Sequence, residues 1–449
     1  MSGVKRSVVS VLMVVVLLLM AACSSKTEGT DKASTSPTPS ATASPEQTDK
    51  PHKDPVTITF STFNGWGNNE SIKLALKKYE EATGNKVEVQ LYPDDQFVNL
   101  MKAKLATGDV PDILSLFNDQ SSIPTDTLEP LEGPWVDTLI DTAKKNATRK
   151  SDGAIVNAPW ASVPFLGILY NKELFAKAGI EVPFKTYSEF LAACEKLKKA
   201  GITPILYNGK EAGAIEIGSG MHYVFEKNPT LGSDLMTNKI KPSDSTDLVE
   251  AFTKLTDKIN KGYVNPQYKS LTGMDGLEAV ATGKAGMFFN GTWCYGIIKQ
   301  SFPGNEDKVG FLPFTLSDDY IAVTQLFNGQ SFQVPKKSKH KEEAKELINF
   351  ILQPDILKAM YELTPGISPY KGLETKANSW EIEINKYAEQ FNWPRKDATD
   401  IQYLPGFDTT SALGEQAQSI QYGKDVKKAL DDWYQKYADL HKAKRDPGF

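Results

Sequence analysis

The sequence predicts an α/β protein made of two doubly wound units. Three observations predict it. β-Branched and aromatic strand runs alternate with amphipathic helical stretches, glycines stand just past those stretches, and the alternation recurs after residue 186. Val56 to Phe60 (VTITF) reads as the first strand. Ser71 to Thr83 then places Ile72, Ala75, Leu76 and Tyr79 on one helical face, with Gly84 at the C-cap. Val87 to Leu91 alternates as a second strand. Asp95 to Thr107 puts Phe97, Leu100, Met101 and Leu105 on a helix face, with Gly108 behind it. Ile113 to Phe117 is the third strand, completing a βαβαβ pattern. Farther on, Thr186 and Glu189 are spaced as a capping box. The helix behind it buries Phe190, Leu191, Cys194 and Leu197 and stops at Gly201, before a strand over Thr203 to Tyr207. Lys341 to Leu352 and Asp425 to Tyr437 read as amphipathic helices. Two such units place a ligand near the carboxyl ends of strands, or in a crevice between the units.

Composition narrows the function. The 449 residues suit two domains, and 40% hydrophobic against 24% charged residues allow sizeable cores. Net charge is −5, a poor match for phosphate backbones, which argues against nucleic-acid binding. Three Cys and four His argue against both a disulfide scaffold and a His/Cys metal site. No Walker loop, dinucleotide GxGxxG, HExxH or GxSxG is present. His222 is the one candidate catalytic histidine, and a structural role is favoured for it. No cofactor is expected.

The N-terminus reads as an address. Lys5 and Arg6 precede an apolar run from Val8 to Met20, shorter than the roughly 20 residues a spanning helix needs. Leu19-Met20-Ala21-Ala22-Cys23 resembles the lipobox of bacterial lipoproteins. The resemblance implies a signal peptide over 1–22, cleavage before Cys23 and lipidation of its thiol. Ser24 to Asp54, rich in Ser, Thr, Pro and Lys, reads as a disordered tether with an end-to-end distance on the order of 30 Å. Cys194 and Cys294 are then left as reduced, packed thiols.

Five stretches in order carry a family resemblance. Tyr79 to Val89 resembles FExxTGxKVxV. Leu105 to Ile113 resembles ATGxxPDI, and Leu169 to Phe175 resembles YNKxLF. Gly283 to Trp293 resembles GKAAMxxNGxW, and Val334 to Lys339 resembles PKxSK. All five are marks of extracellular solute-binding proteins of family 1, the carbohydrate receptors of ABC importers. The resemblance implies a two-lobed, periplasmic-binding-protein-like type II fold with a hinge and an interlobe cleft. It puts residues 55–163 and 327–370 in one lobe, residues 164–326 and 371–449 in the other, and crossings near Pro164, Leu326 and Lys371. It also implies a monomer on the outer face of the cell membrane, with an ABC permease as partner. The long tether resembles lipoproteins of Gram-positive bacteria.

A sugar site needs amides and carboxylates for hydroxyls and aromatic rings for CH faces. After the first strand, Asn64 and Trp66 fit, unless Trp66 only caps the surface. Resemblance to maltodextrin-binding members implies a hydroxyl-binding carboxylate at Asp119; an N-cap is its other use. Similar position in the family implies that Glu211, near Asn208, accepts sugar hydroxyl bonds; a solvated loop residue is its alternative. Trp293 matches a ring-stacking Trp of relatives, with core packing as its alternative, and Tyr295 lines the same wall. Phe407 and Asp408 fall where relatives present a ligand loop. Trp160 either faces the cleft or plugs the hinge. Pro164 and Thr410 depart from the maltodextrin-type pattern, which leaves the sugar's identity open. The expected function is carbohydrate capture for a permease, without catalysis. A non-sugar solute on the same fold and a lipid-anchored glycosidase, which needs two carboxyls about 5–10 Å apart, are the alternatives.

Overall fold

The computed structural model describes residues 54–93, 96–117, 123–209, 212–327, 329–398, 416–445 and 448–449. Cys23 and residues 24–53 of the tether lie outside these residues, as do Asp119, Glu211, Phe407 and Asp408.

The first sheet grows from the predicted βαβαβ run. Strand β1 (Thr57–Phe63) leads through a short helix α1 (Asn64–Gly67) into α2 (Glu70–Thr83). Strand β2 (Lys86–Tyr92), helix α3 (Phe97–Thr107) and strand β3 (Ile113–Phe117) follow. β1 lies parallel to both β2 and β3. Gly84 and Gly108 end their helices in the left-handed region, φ 77° and 86°, where a Cβ would strain the chain. α2 buries Ile72, Ala75, Leu76 and Tyr79 as its spacing predicts, with Ile72 and Leu76 each contributing about 1.5–3 kcal/mol. Leu100 departs from the prediction and is exposed, so α3 packs through Phe97, Met101 and Leu105.

Helix α4 (Asp141–Ala147) and strand β4 (Ala158–Pro159) complete this part of the chain. The second sheet starts at β5 (Phe165–Asn171), buried throughout, followed by α5 (Lys172–Lys177) and α6 (Tyr187–Lys199). Thr186 caps α6 by accepting from the Glu189 N–H at 3.0 Å. The returning arm differs from the expected box, because Glu189 accepts from the Lys185 N–H instead. Strand β6 covers Thr203–Ile205 and stops short of Tyr207, whose N–H goes to Asn265 Oδ1.

Helices α7 (Ala212–Gly220), α8 (His222–Lys227), α9 (Leu231–Met236), α10 (Thr246–Asn260) and α11 (Gly273–Ala281) lead to strand β7 (Ala285–Gly291). Helix α12 (Cys294–Ser301) and strands β8 (Val309–Leu312) and β9 (Val323–Gln325) follow. The chain then returns to the first sheet as β10 (Gln330–Gln333), with α13 (Lys341–Ile351) and α14 (Pro354–Leu363) behind it. It crosses again to α15 (Ser379–Gln390), β11 (Arg395–Asp397) and α16 (Val426–Lys444), the last longer than its sequence pattern predicts.

The first sheet runs β2-β1-β3-β10-β4, with β10 antiparallel to β3 and β4. The second runs β11-β9-β5-β7-β6, with β8 also on β5. The antiparallel strands β5, β8, β9 and β10 make each sheet mixed rather than wholly parallel. Each sheet carries its own aromatic core. Phe60, Phe332 and Trp160 centre the first, while Phe190, Phe289 and Phe314 centre the second. Cys194 and Cys294 are both buried, and neither is in a disulfide. The fold is two-lobed, and among the described residues the chain passes between the sheets through links at residues 160–164, at 326, 327 and 329, and at 364–378.

Candidate functional site

Strand direction brings one edge of each sheet to the links. β1 and β3 end at Phe63 and Phe117, β4 ends at Pro159, and antiparallel β10 starts beside Phe117. On the second sheet, β7 and β9 end where β5 begins, since Leu166 pairs with Gly291 and Phe165 with Gln325. Pro159 and Phe165 are six residues apart, so the two edges lie within about 20 Å of each other along that link. The links also bond to one another. The Leu326 N–H donates to Pro164 O at 2.9 Å, and the Val163 N–H to Ile367 O at 2.7 Å.

On the first edge, Asn64 is exposed at the start of α1 and its carbonyl accepts from Asn68 Nδ2. Trp66 is half-buried, edge-on to Phe63 at 4.6 Å, and Phe63 packs in turn on Phe97. A Cβ at Gly67 would fall 2.2 Å from Leu91 Cδ2, so a larger residue here would have to displace that exposed side chain. Trp160 is not on the surface. It is 1% exposed, stacks on Phe332 at 5.6 Å and donates its indole N–H to Ser115 Oγ at 3.0 Å. Of its two expected places, facing the cleft or plugging the hinge, the packing shows a buried ring whose face and polar atom both have partners within the first lobe.

On the second edge, Trp293 follows β7 and precedes α12. At 40% exposed it stands among the exposed large apolar side chains. Its ring folds over Gly291, where a Cβ would fall 1.9 Å from Trp293 Cζ3. The GTW sequence is thus a shelf: glycine gives the room and tryptophan lies across it. Tyr295 is half-buried and edge-on to Trp380 at 5.3 Å, so part of its ring belongs to the core.

The Trp293 segment is tied down one residue earlier. Thr292 exchanges two bonds with Phe165: its hydroxyl accepts from the Phe165 N–H at 3.1 Å and its own N–H donates to Phe165 O at 3.0 Å. The same hydroxyl lies 3.5 Å from Glu381 Oε1. Glu381 caps α15 by accepting from the Asn378 N–H at 3.1 Å. Burial holds the Glu381 carboxyl up at about 8, opposed by its bonds to Asn378 and Thr292. The Asn378-x-x-Glu381 spacing is a legible capping box that the sequence reading passed over. Its burial at a link had no sequence signal.

His222 is buried, and its Nε2 lies 3.0 Å from Thr324 Oγ1. Burial pushes its ring down to about 3, so it is neutral and structural rather than a base poised near neutrality. Among the described residues no group of three or more His, Cys, Asp or Glu could hold a metal ion.

The arrangement is that of a two-lobed binding protein: mixed sheets joined by short links, with an exposed aromatic shelf at the edge facing the links. Residues 66–358 match the bacterial extracellular solute-binding protein family, and the chain belongs to that family. It is 25% identical over 351 residues to a multiple sugar-binding protein of Streptococcus mutans, covering 75% of this chain and 80% of the relative. A solved chitin oligosaccharide binding protein superposes with a TM-score of 0.71 at 22% identity, over 87% of this chain and all of that one (100%). A Bacillus licheniformis sugar transporter protein in complex with stachyose gives a TM-score of 0.68 at 19% identity, over 85% and 100% of the two chains.

Proposed function

We propose that the protein captures an oligosaccharide between its lobes, outside the membrane, and presents it to an ABC permease. The observation that carries this reading is Trp293, a broad apolar face held in the open over Gly291 at a link-facing edge. Sugar CH faces stack on such a surface. The names of the similar proteins, which speak of multiple sugars, chitin oligosaccharide and stachyose, support the same class of ligand.

In this reading the lobes are residues 55–163 with 327–370 and residues 164–326 with 371–449. Asn64, Trp66 and Asp119 meet the ligand from the first lobe. Glu211, Trp293, Tyr295, Phe407 and Asp408 meet it from the second. Trp160 supports the first wall from beneath. The closed arrangement binds sugar more tightly than the open one, and that difference drives closure. Cys23 carries the lipid, residues 24–54 space the lobes from the membrane, and the protein acts as a monomer. It releases its sugar unchanged to the permease, on the surface of a Gram-positive cell.

Thermal unfolding against a panel of mono- and oligosaccharides, including stachyose and chitin oligosaccharides, tests this. A ligand that binds the native state alone, at a hundredfold excess over Kd, adds about 2.7 kcal/mol and raises the midpoint. No shift with any sugar, alongside a shift with peptides or anions, would overturn the carbohydrate reading and leave the fold untouched.

A further inference from the structure

Asn146 sits in α4, which is anchored in the first lobe's core by Ala143 and Ala147. Asp397 ends β11 in the second sheet, in register with Gln325 at the end of β9. The two side chains meet, with Asn146 Nδ2 donating to Asp397 Oδ2 at 3.1 Å. The other oxygen, Asp397 Oδ1, accepts from the Phe327 N–H on the second link at 3.4 Å. Below it, the Ala398 N–H donates to Gln325 O at 2.7 Å, fixing the strand end that presents the carboxylate. Asp397 is buried, where an unpaired carboxylate is costly, while its partner Asn146 is half-exposed. The same helix α4 also meets the third link, where Asp141 Oδ1 accepts from Lys371 Nζ at 2.9 Å. That contact is exposed and contributes little.

One buried carboxylate therefore holds both a link and the opposite lobe. We propose that Asn146 and Asp397 form a latch that sets the equilibrium between the lobe arrangements, with Asp397 as a positioning residue for closure. The two residues ride on different sheets, so rotation about the links changes their separation. The latch stabilises the arrangement seen here and works against the other, and ligand affinity carries that bias as a fraction of competent molecules. Nothing in the sequence pairs these two positions, which are 251 residues apart.

The test needs no ligand. The full chain with Cys23→Ser receives spin labels at Glu88→Cys on β2 and Lys299→Cys on α12, both exposed sites. The native thiols Cys194 and Cys294 are buried and leave the labelling selective. Distances between labels are measured by pulsed electron resonance. Asn146→Ala and Asp397→Asn should each change the ratio of the two lobe arrangements by about tenfold or more, the scale of a hydrogen bond to a charged group. Combining them as Asn146→Ala with Asp397→Asn should add little to either alone. The exchange Asn146→Asp with Asp397→Asn restores a donor and an acceptor and should return the wild-type ratio, a rescue that a loss of packing would not show. Asn146→Ala is half-exposed and keeps the carboxylate's bond to the link, so it remains informative if the Asp397 variant folds poorly. Distributions unchanged in both single variants, single effects that add, or an exchange that fails to restore the ratio would overturn the latch. Because no sugar is added, failure of the carbohydrate reading would show in the thermal panel and leave this result unaffected.

Discussion

Trp160 and Trp293 stand at comparable places, each just past a strand at the edge of its sheet and close to a link, yet one is 1% exposed and the other 40%. The difference lies in what each sheet offers nearby. The first lobe gives Trp160 a ring to stack on, Phe332, and a hydroxyl for its N–H, Ser115. The second gives Trp293 a glycine, which supports the ring from below and leaves the upper face open. A tryptophan with both its face and its N–H already matched is held in the core, whereas one laid over a glycine keeps a face open. The comparison sets Trp160's part in stability against the ligand-stacking role proposed above for Trp293, and it can be broken residue by residue.

The largest expected effect is on Trp160. Trp160→Ala should cost about 3–5 kcal/mol of stability through the cavity it leaves, read as the midpoint of urea unfolding. A loss under about 1 kcal/mol would remove Trp160 from the core. The second lobe has its own core liability, of a different kind. Lys258 Nζ lies 2.8 Å from Glu216 Oε1, both side chains 1% exposed, and Tyr207 also donates to Glu216. Burial pushes the carboxyl up and the ammonium down, while their mutual attraction opposes both. Lys258→Met should cost about 3–5 kcal/mol by leaving the carboxylate unpaired. Replacing Glu216 as well, as Glu216→Gln with Lys258→Met, should recover much of it. Equal losses in the single and double variants would show that the pair's charges are not what matters.

The pH dependence of stability has two limbs. Glu381 is held at about 8 in the fold against about 4.3 unfolded, so the folded state keeps its proton longer. Its contribution is full below about pH 4.3 and is lost as pH rises toward 8, by several kcal/mol. His222 is held at about 3 against about 6.5 unfolded, so its contribution is present above pH 6.5 and is lost as pH falls toward 3. Between about pH 4.3 and 6.5 the two slopes oppose each other, and stability falls on either side. Glu381→Gln should flatten the alkaline limb and His222→Gln the acid one, in unfolding midpoints taken across pH. Limbs that survive these substitutions would assign the slopes elsewhere.

The smallest effect on stability is at the shelf itself. Gly291→Ala must push the Trp293 ring aside, at about 1–3 kcal/mol of overpacking, and should weaken sugar binding beyond that loss. Unaltered binding would mean that the ring's seat on Gly291 is not what orients it.

Much of the first lobe was legible because its signals are local. Apolar spacing in α2, glycines at the two left-handed caps and the alternation in β2 each need only neighbouring residues. The GTW shelf was legible as a motif, since glycine and tryptophan are adjacent in sequence as well as in space. Strand β10 was not, because its place between β3 and β4 depends on partners about 170 to 220 residues away. Trp160 was ambiguous for the same reason: its fate depended on Phe332 and Ser115, which sequence spacing does not bring together. Leu100 was misplaced because a helix face wider than the available core leaves its margin in water. The latch between Asn146 and Asp397 had no local trace at all.

The most direct test of the central claim is calorimetric titration of the sugar panel into wild-type protein and Trp293→Ala, with thermal midpoints of both taken without ligand. The account predicts that an oligosaccharide binds the wild type, that Trp293→Ala loses about 2 kcal/mol or more of that affinity, and that the two unliganded midpoints agree. A Trp293→Ala protein that binds the same sugar as tightly as wild type would contradict it.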